Sequence, residues 1–204
     1  MAEEILYPQE QEQQDAAKVL IALTKKQGGK KILVPSLEGY ETGYNVDGIY
    51  VSDGIHAVIL SLTESQHPWG GNSVDLAEGD PLYDAGCNSL QSFDGEWLTD
   101  FLIKMMHLTE GTAMVEAKKE GWLPAGGELT MIMANKDEVN SLLEIVGGEQ
   151  LNSEHYWTSS KFSDERAYSY DMERGLFNLR KGNVNALAVR PVKSSAGYVE
   201  TENK

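Results

Sequence analysis

The feature that most constrains this fold is the alternation of residue types in the last third of the chain. Aromatic or apolar side chains alternate with polar ones over residues 168–172, and a turn at residues 174–175 follows. Residues 176–179 run back, and a second glycine-containing turn at 181–183 leads into the apolar residues 184–192. Short runs of period two between such turns predict consecutive antiparallel strands.

Helices are predicted upstream of these strands. The loop at residues 121–129 leads into helical patterns at 128–133 and 137–146, and Gly147 and Gly148 end the second pattern.

A further helix is predicted at residues 96–107 and a short one at 114–120. Four large side chains give the longer helix a single apolar face. They are Trp97, Phe101, Leu102 and Met105.

The front of the chain is predicted to contain a strand, a hairpin and a long loop. Residues 30–37 form a short apolar strand in which Pro35 indicates an edge position or the end of the strand, and residues 45–62 form a hairpin. Residues 63–93 are rich in Gly, Asn, Ser, Asp and Pro, which predicts either a functional loop or a supported loop system.

Residues 1–35 are predicted to form an N-terminal arm with one amphipathic helix. The arm either docks the protein to a partner or oligomerises it, or its helix packs on its own domain; the sequence leaves both open. The apolar residues that follow helical spacing are Ala16, Val19, Leu20 and Leu23.

Charge and cysteine content exclude several classes of protein. The 204 residues include 17 basic and 32 acidic side chains, and the net charge of −15 repels nucleic acid and anionic membranes. A single cysteine, Cys87, excludes an intrachain disulfide, and it has no basic neighbour that would make it reactive.

No motif indicates catalysis, a metal or a cofactor. The four histidines lack zinc-ligand spacing, and neither a phosphate-binding loop nor a nucleophile elbow is present. Asn183 and Asn185 could offer oxygen ligands to a hard cation, but no acidic cluster supports them. A carboxylate pair for glycoside hydrolysis could be drawn from Asp164, Glu165 and Asp171, although 32 acidic residues produce close pairs by chance. The sequence therefore favours a protein that binds and does not react.

Three groups of residues together resemble the C-type-lectin-like domains of bacterial surface and bacteriophage proteins. The resemblance covers roughly residues 45–193 and includes GIYVSDGIHAVILSL at 48–62. The matching residues are Leu123, Pro124, Glu128 and Leu129; Tyr156, Trp157, Thr158, Ser159 and Ser160; and Val189, Arg190, Pro191 and Val192.

The resemblance implies an α+β, C-type-lectin-like fold over residues 36–193, preceded by the helical arm and followed by a loose polar tail at 194–204. Within that fold Trp157 is expected to be a core aromatic residue. Glu128 and Arg190 are expected to form a buried or half-buried ion pair between a helix and the last strand.

The resemblance also implies that the late hairpins bind the ligand. Tyr, Asn and Arg side chains make adaptable contact surfaces, and Tyr168 and Tyr170 share one face of their strand. The alternative is that both tyrosines face the core and the polar residues only form turns. The expected ligand-binding residues are Tyr168, Tyr170, Asn178, Arg180, Asn183 and Asn185.

The expected function is a non-enzymatic binding or display module without cofactor or metal. The acidic N-terminus lacks the pattern of a secretory signal, and no apolar run is long enough to span a bilayer, so either a leader has been removed or the protein leaves the cell by another route. Together with the lack of disulfides, the acidity and the resemblance, this makes a bacteriophage virion the expected location. There the protein would be a homo-oligomeric fibre or decoration protein, attached by its arm to a virion or cell-surface protein and presenting a face to a host glycan or protein. The alternatives are a bacterial cell-surface adhesin or lipoprotein-type domain and an enzyme of unrecognised type.

Overall fold

The computed structural model describes residues 17–40, 42–70, 90–161, 166–181 and 186–201. Within these residues the chain has an α+β fold with two sheets and four helices. The strands are β1 (Lys18–Lys25), β2 (Lys31–Val34), β3 (Tyr44–Ser52), β4 (Ala57–Leu60), β5 (Ser65–Pro68), β6 (His155–Lys161), β7 (Arg166–Asp171), β8 (Leu176–Lys181), β9 (Ala186–Val189), β10 (Val192–Ser194) and β11 (Val199–Glu200). The helices are α1 (Gly95–Met105), α2 (Ala113–Lys118), α3 (Gly126–Ala134) and α4 (Lys136–Val146).

Strand β1 lies inside a six-stranded sheet, sheet A, with the order β10-β4-β3-β1-β2-β11. It pairs antiparallel with β3 on one side and with β2 on the other. Ile21 and Leu23 are buried in the main core, whereas Leu20 and Ala22 are buried in a smaller cluster on the other face. An unbroken apolar run suits this position because successive side chains of a strand point to opposite faces.

The predicted helix in the N-terminal arm is wrong where the structure describes it, because residues 18–25 form β1. The spacing of Val19, Leu20 and Leu23 suits a helix, but the run between them is also apolar and includes the β-branched Ile21. Pairing with two neighbouring strands decides between the two conformations. Residues 18–34 therefore belong to sheet A, and residues 1–16 lie outside the described residues.

Sheet B has five strands in the order β5-β9-β6-β7-β8. Strand β7 pairs antiparallel with β6 and with β8, which confirms the strands predicted from the alternation after residue 166. The turn predicted at Arg174 and Gly175 is confirmed, and the Gly175 amide donates a hydrogen bond to the Asp171 carbonyl over 2.9 Å.

The helices cover the sheets in two groups. Helices α3 and α4 contribute Leu129, Ile132 and Leu143 to the main core, which they share with sheet A. Side chains of α1 and α2 meet sheet B in a second core around Trp157, which is the buried aromatic residue that the sequence predicted. Each sheet thus buries one face under helices, as an α+β domain requires.

Several predicted boundaries are confirmed. Strands β3 and β4 form the predicted antiparallel hairpin, and all four helices lie within two residues of the predicted ranges at their N-termini. Helix α4 ends at Gly147, whose φ of 73° is left-handed and suits glycine at that position.

Three other predictions need correction. Residues 65–68, inside the predicted loop, form β5, and residues 199–200 of the predicted loose tail pair with β2 as β11. Helix α1 buries Leu98 and Leu102, whereas Trp97 and Met105 of its predicted buried face are 46% and 44% exposed. The helix carries apolar side chains on both sides, so the packing partner decides which side is covered.

Arg190 lies where the chain crosses from sheet B to sheet A, and it is 1% exposed. Its Nη1 donates to the Ser61 carbonyl over 3.2 Å, and its Nη2 lies 3.3 Å from Oε2 of Glu64 and also donates to the Glu149 carbonyl. The predicted ion pair with Glu128 is wrong, because the carboxylate partner of Arg190 comes from the segment that follows β4. The chain passes from sheet A to sheet B between β4 and β5 and returns between β9 and β10. The contacts of Arg190 join both of these connections to the segment that follows α4.

The substitution Arg190→Ala is expected to lower the free energy of unfolding by about 3 to 5 kcal/mol, because it removes the cation that pairs with the partly buried Glu64 carboxylate and the donors to two carbonyls. Urea unfolding measures the loss. Lys26→Ala, which removes a cation from an exposed turn, is the matched control and is expected to change the value by less than about 0.5 kcal/mol. Equal effects of the two substitutions would contradict a structural role for Arg190.

Candidate functional site

The structure separates the predicted ligand-binding residues onto two faces of the β7–β8 hairpin. Tyr168 and Tyr170 do share one face, as predicted, and pair with Leu179 and Phe177 of β8. Tyr170 packs on the main core and its ring meets that of Phe177 edge to face at 5.2 Å. For Tyr170 the alternative prediction, a side chain that faces the core, is therefore the better description.

Asn178 and Arg180 lie on the opposite face, where they meet two residues that the prediction did not include. Asn178 Nδ2 donates to Asp171 Oδ2 over 2.8 Å, and Arg180 Nη2 lies 2.8 Å from His155 Nε2. We call His155, Asp171, Asn178 and Arg180 the hairpin cluster. The other two predicted residues, Asn183 and Asn185, lie outside the described residues.

The hydrogen bonds determine the protonation of His155. A guanidinium can only donate, so Nε2 accepts from Arg180 and the proton of the neutral ring lies on Nδ1. Nδ1 is 4.0 Å from Asp171 Oδ2, too far for a hydrogen bond. Within the described part of the chain, His155 Nδ1 and Arg180 Nε are buried and have no hydrogen-bond partner.

Asp171 supplies the negative charge of the hairpin cluster. The backbone amide of Arg174 donates to its Oδ1 over 3.0 Å and holds the pKa of the carboxyl below its usual range, and the positive charge of the Arg174 side chain acts in the same direction. Asp171 is therefore ionised at neutral pH. The cluster combines a fixed anion with a guanidinium that retains donor capacity.

The register of the strands explains why the sequence did not reveal this cluster. His155 of β6 pairs with Asp171 of β7. Arg180 of β8 pairs with Ala167, which lies on the same face of β7 as Asp171 but four residues earlier. His155 is separated from Arg180 by 25 positions in the chain, so neither spacing nor a motif links them. For the two residues that the prediction did not include, the only signal in the sequence was the proximity of Asp171 to the hairpin turn.

A cleft, which we call the α1 cleft, lies between the N-terminus of α1 and one end of sheet A. Its volume is about 510 Å³, within the range of ligand pockets. Its side chains are aromatic, acidic or small. The lining residues are His56, Ala57, Val58, Phe93, Asp94, Glu96, Trp97, Asp100, Trp122, Glu128 and Ser194.

Glu128 forms the floor of the α1 cleft and is 3% exposed. Its carboxylate accepts hydrogen bonds from the Ala125 amide over 2.8 Å and from Trp122 Nε1 over 3.2 Å. Loss of hydration on burial raises the pKa of Glu128 from its usual 4.5 to about 7, although these donors oppose the shift. The residue predicted to pair with Arg190 instead caps α3 and faces the cleft.

The described residues also bear on metal binding and membrane insertion. They contain no group of three or more His, Cys, Asp and Glu side chains arranged to hold a metal ion. No helix among them has the length and apolar character needed to cross a lipid bilayer. Cys87 lies outside the described residues.

Comparison with known proteins gives one structural similarity. No known protein family matches the chain, and no curated protein matches it. The fold is similar to the crystal structure of a fimbrial protein from Bacteroides ovatus ATCC 8483, with a TM-score of 0.50 and 14% sequence identity. The match covers 68% of this chain and 35% of that one, so this chain spans about a third of the length of the fimbrial structure. At this identity the similarity concerns the fold alone.

The pKa of Glu128 predicts how stability depends on pH. Between pH 4.5 and about 7 the folded protein retains a proton that the unfolded chain has released. The free energy of unfolding therefore falls as pH rises through this range, by about 3 kcal/mol in total from this group. Urea unfolding from pH 4.5 to 8 should show this fall in the wild type relative to Glu128→Gln. The control is Glu96→Gln at an exposed neighbouring position, whose free energy of unfolding should depend on pH as that of the wild type does. The same pH dependence in Glu128→Gln and the wild type would contradict the raised pKa.

Proposed function

We propose that this chain is a non-enzymatic binding and display domain with a C-type-lectin-like fold, and that the hairpin cluster contacts its ligand. One observation carries the proposal: the cluster places Arg180 and Asn178 side by side on one face of sheet B, where Asp171 and His155 hold them. The guanidinium of Arg180 has more donors than its contact with His155 uses, and a ligand oxygen would accept from them.

The charge of the hairpin supports an acidic ligand. Residues 166–181 contain four basic and two acidic side chains, in a chain whose net charge is −15. The hairpin is thus a local positive region on a strongly negative protein, and such a region attracts anionic groups. A host-surface glycan that bears carboxylates matches it, since a guanidinium binds a carboxylate through paired hydrogen bonds.

The contacts of His155 support a role in binding. Its Nε2 lone pair is occupied by Arg180 and its Nδ1 carries the proton, so the ring cannot accept a proton from a substrate without breaking its contact with Arg180. Asp171 is engaged by Asn178 and by the Arg174 amide. Both groups are arranged to hold the cluster in place.

The similarity to a fimbrial protein supports a bacterial cell surface as the location. A bacteriophage particle, the location expected from the sequence, is the other proposal. Immunogold electron microscopy with an antibody to this chain distinguishes them. Label on cells or their filaments supports the cell surface, label on purified phage particles supports the virion, and label confined to the cell interior would contradict both.

Ligand binding tests the hairpin cluster directly. Arg180→Ala is expected to weaken binding to an array of acidic glycans by at least about tenfold, because truncation of a hot-spot arginine costs about 2 kcal/mol or more. Lys26→Ala removes the same charge far along the chain and is expected to leave binding unchanged. Circular dichroism checks that both variants fold. If the folded Arg180→Ala protein keeps full affinity, or if the wild type binds no member of the array, the cluster is not the glycan site.

A further inference from the structure

The ring of His155 in the hairpin cluster lies between one cation and two carboxylates, and its side chain is 10% exposed. Arg180 of β8 places Nη2 2.8 Å from Nε2, and Glu154, immediately before β6, places Oε1 3.5 Å from the same nitrogen. Asp171 of β7 places Oδ2 4.0 Å from Nδ1, and Nε of Arg174 lies 3.9 Å from that oxygen. Among the described residues, neither β9 nor the helices packed on β6 bring a further carboxylate within 4.0 Å of the ring.

The contact between Arg180 and His155 requires a neutral ring. A guanidinium can only donate, so Nε2 must offer its lone pair. A protonated imidazole carries a hydrogen on both nitrogens, and two cations would then face each other across 2.8 Å. Protonation of the ring therefore breaks this contact.

The two carboxylates provide an alternative arrangement for the protonated ring. Its Nε2–H can donate toward Glu154 and its Nδ1–H toward Asp171, after small movements that shorten the distances of 3.5 and 4.0 Å. Asn178 stays bound to Asp171 Oδ2 in both arrangements. The hairpin cluster thus has two arrangements that differ by one proton and by the position of the Arg180 guanidinium.

The protonated arrangement suits an anionic ligand better for two reasons. It releases the Nη2 donor of Arg180 that the neutral ring engages, so the whole guanidinium fork can turn to a carboxylate. It also adds one positive charge beside the guanidinium, which strengthens the attraction of a negative group. Both effects act in the same direction.

We infer that a proton on His155 strengthens ligand binding at the hairpin cluster, so that the domain holds a carboxylate-bearing glycan more tightly in acidic than in neutral surroundings. The inference rests on the proposed function, which places the glycan on Arg180. Histidine is the side chain that ordinarily changes charge between about pH 5 and 8, whereas sugar carboxylates, with a pKa near or below about 4, stay ionised over that range. By linkage, a bound carboxylate favours the protonated ring in return, and binding takes up a proton.

Isothermal titration calorimetry with an oligosaccharide of galacturonic acid, at constant ionic strength, tests the inference. The wild type is expected to bind about tenfold more tightly at pH 5.5 than at pH 8, because an opposite charge close to a titrating group shifts its titration by about one unit or more. His155→Gln offers Arg180 an amide oxygen but gains no proton, so its dissociation constant should change by less than about twofold. His56→Gln is the matched control, since His56 also lies beside a carboxylate, that of Asp53, and this variant should keep the wild-type pH dependence.

Nitrogen-15 NMR of the full chain without glycan provides a second measurement. In the wild type at pH 8, the proton of the neutral His155 ring is expected on Nδ1, and the guanidinium signals of Arg180 should shift as the ring titrates. A proton on Nε2, equal or weaker glycan binding at pH 5.5, or an undiminished pH dependence in His155→Gln would overturn the inference. Glycan binding lost in Arg180→Ala but independent of pH would leave the proposed ligand site intact, whereas no binding at either pH would overturn both.

Discussion

The buried guanidinium of Arg190 is the interaction on which the two-sheet arrangement depends. The chain crosses between the sheets twice, from β4 to β5 and from β9 to β10, and the amide of Ser61 donates to the Pro191 carbonyl where the crossings meet. Arg190 binds the Ser61 carbonyl and the Glu64 carboxylate in the first crossing, and Glu64 also accepts a hydrogen bond from the Tyr156 hydroxyl of β6. A buried cation needs partners, and the pairing of both Nη groups of Arg190 holds one crossing against the other.

This junction also positions the hairpin cluster and the α1 cleft. On the sheet B side, β6 carries Tyr156 into the junction and His155 into the hairpin cluster. On the other side, Trp122 pairs with Val192 immediately after the crossing, through hydrogen bonds of 2.8 and 3.0 Å, and its indole then donates to Glu128 in the floor of the α1 cleft. A side chain on Gly121 would meet the Val192 carbonyl oxygen, which explains glycine at that position. The two surfaces thus share one rigid support and differ in charge.

The sequence predicted local structure well where the pattern of residue types is compatible with a single conformation. The glycine-punctuated alternation after residue 166 could only suit short strands, and Gly147 ended a helix with a clear apolar stripe. The prediction was wrong where two conformations or two packing arrangements suit the same pattern. Residues 19–23 suit a helix or a doubly buried strand, and α1 carries apolar side chains on two sides, of which the described residues bury the one with Leu98 and Leu102 and leave Trp97 and Met105 partly exposed. In each case the choice depends on which partner lies beside the segment, and the local pattern does not contain that information.

The features of the candidate site also separate into those that the sequence determines and those that depend on the tertiary structure. The sequence by itself determined the kinds of side chain available, the single cysteine, the acidic charge and the basic hairpin, since these follow from composition and short-range order. Only the tertiary structure decided that Arg180 meets His155, that Glu128 caps α3 and faces a cleft, and that Arg190 pairs with Glu64. The physical reason is strand register and long-range pairing: a shift of one residue exchanges the faces of a strand, and the partners of each charged group lie at distant positions in the chain.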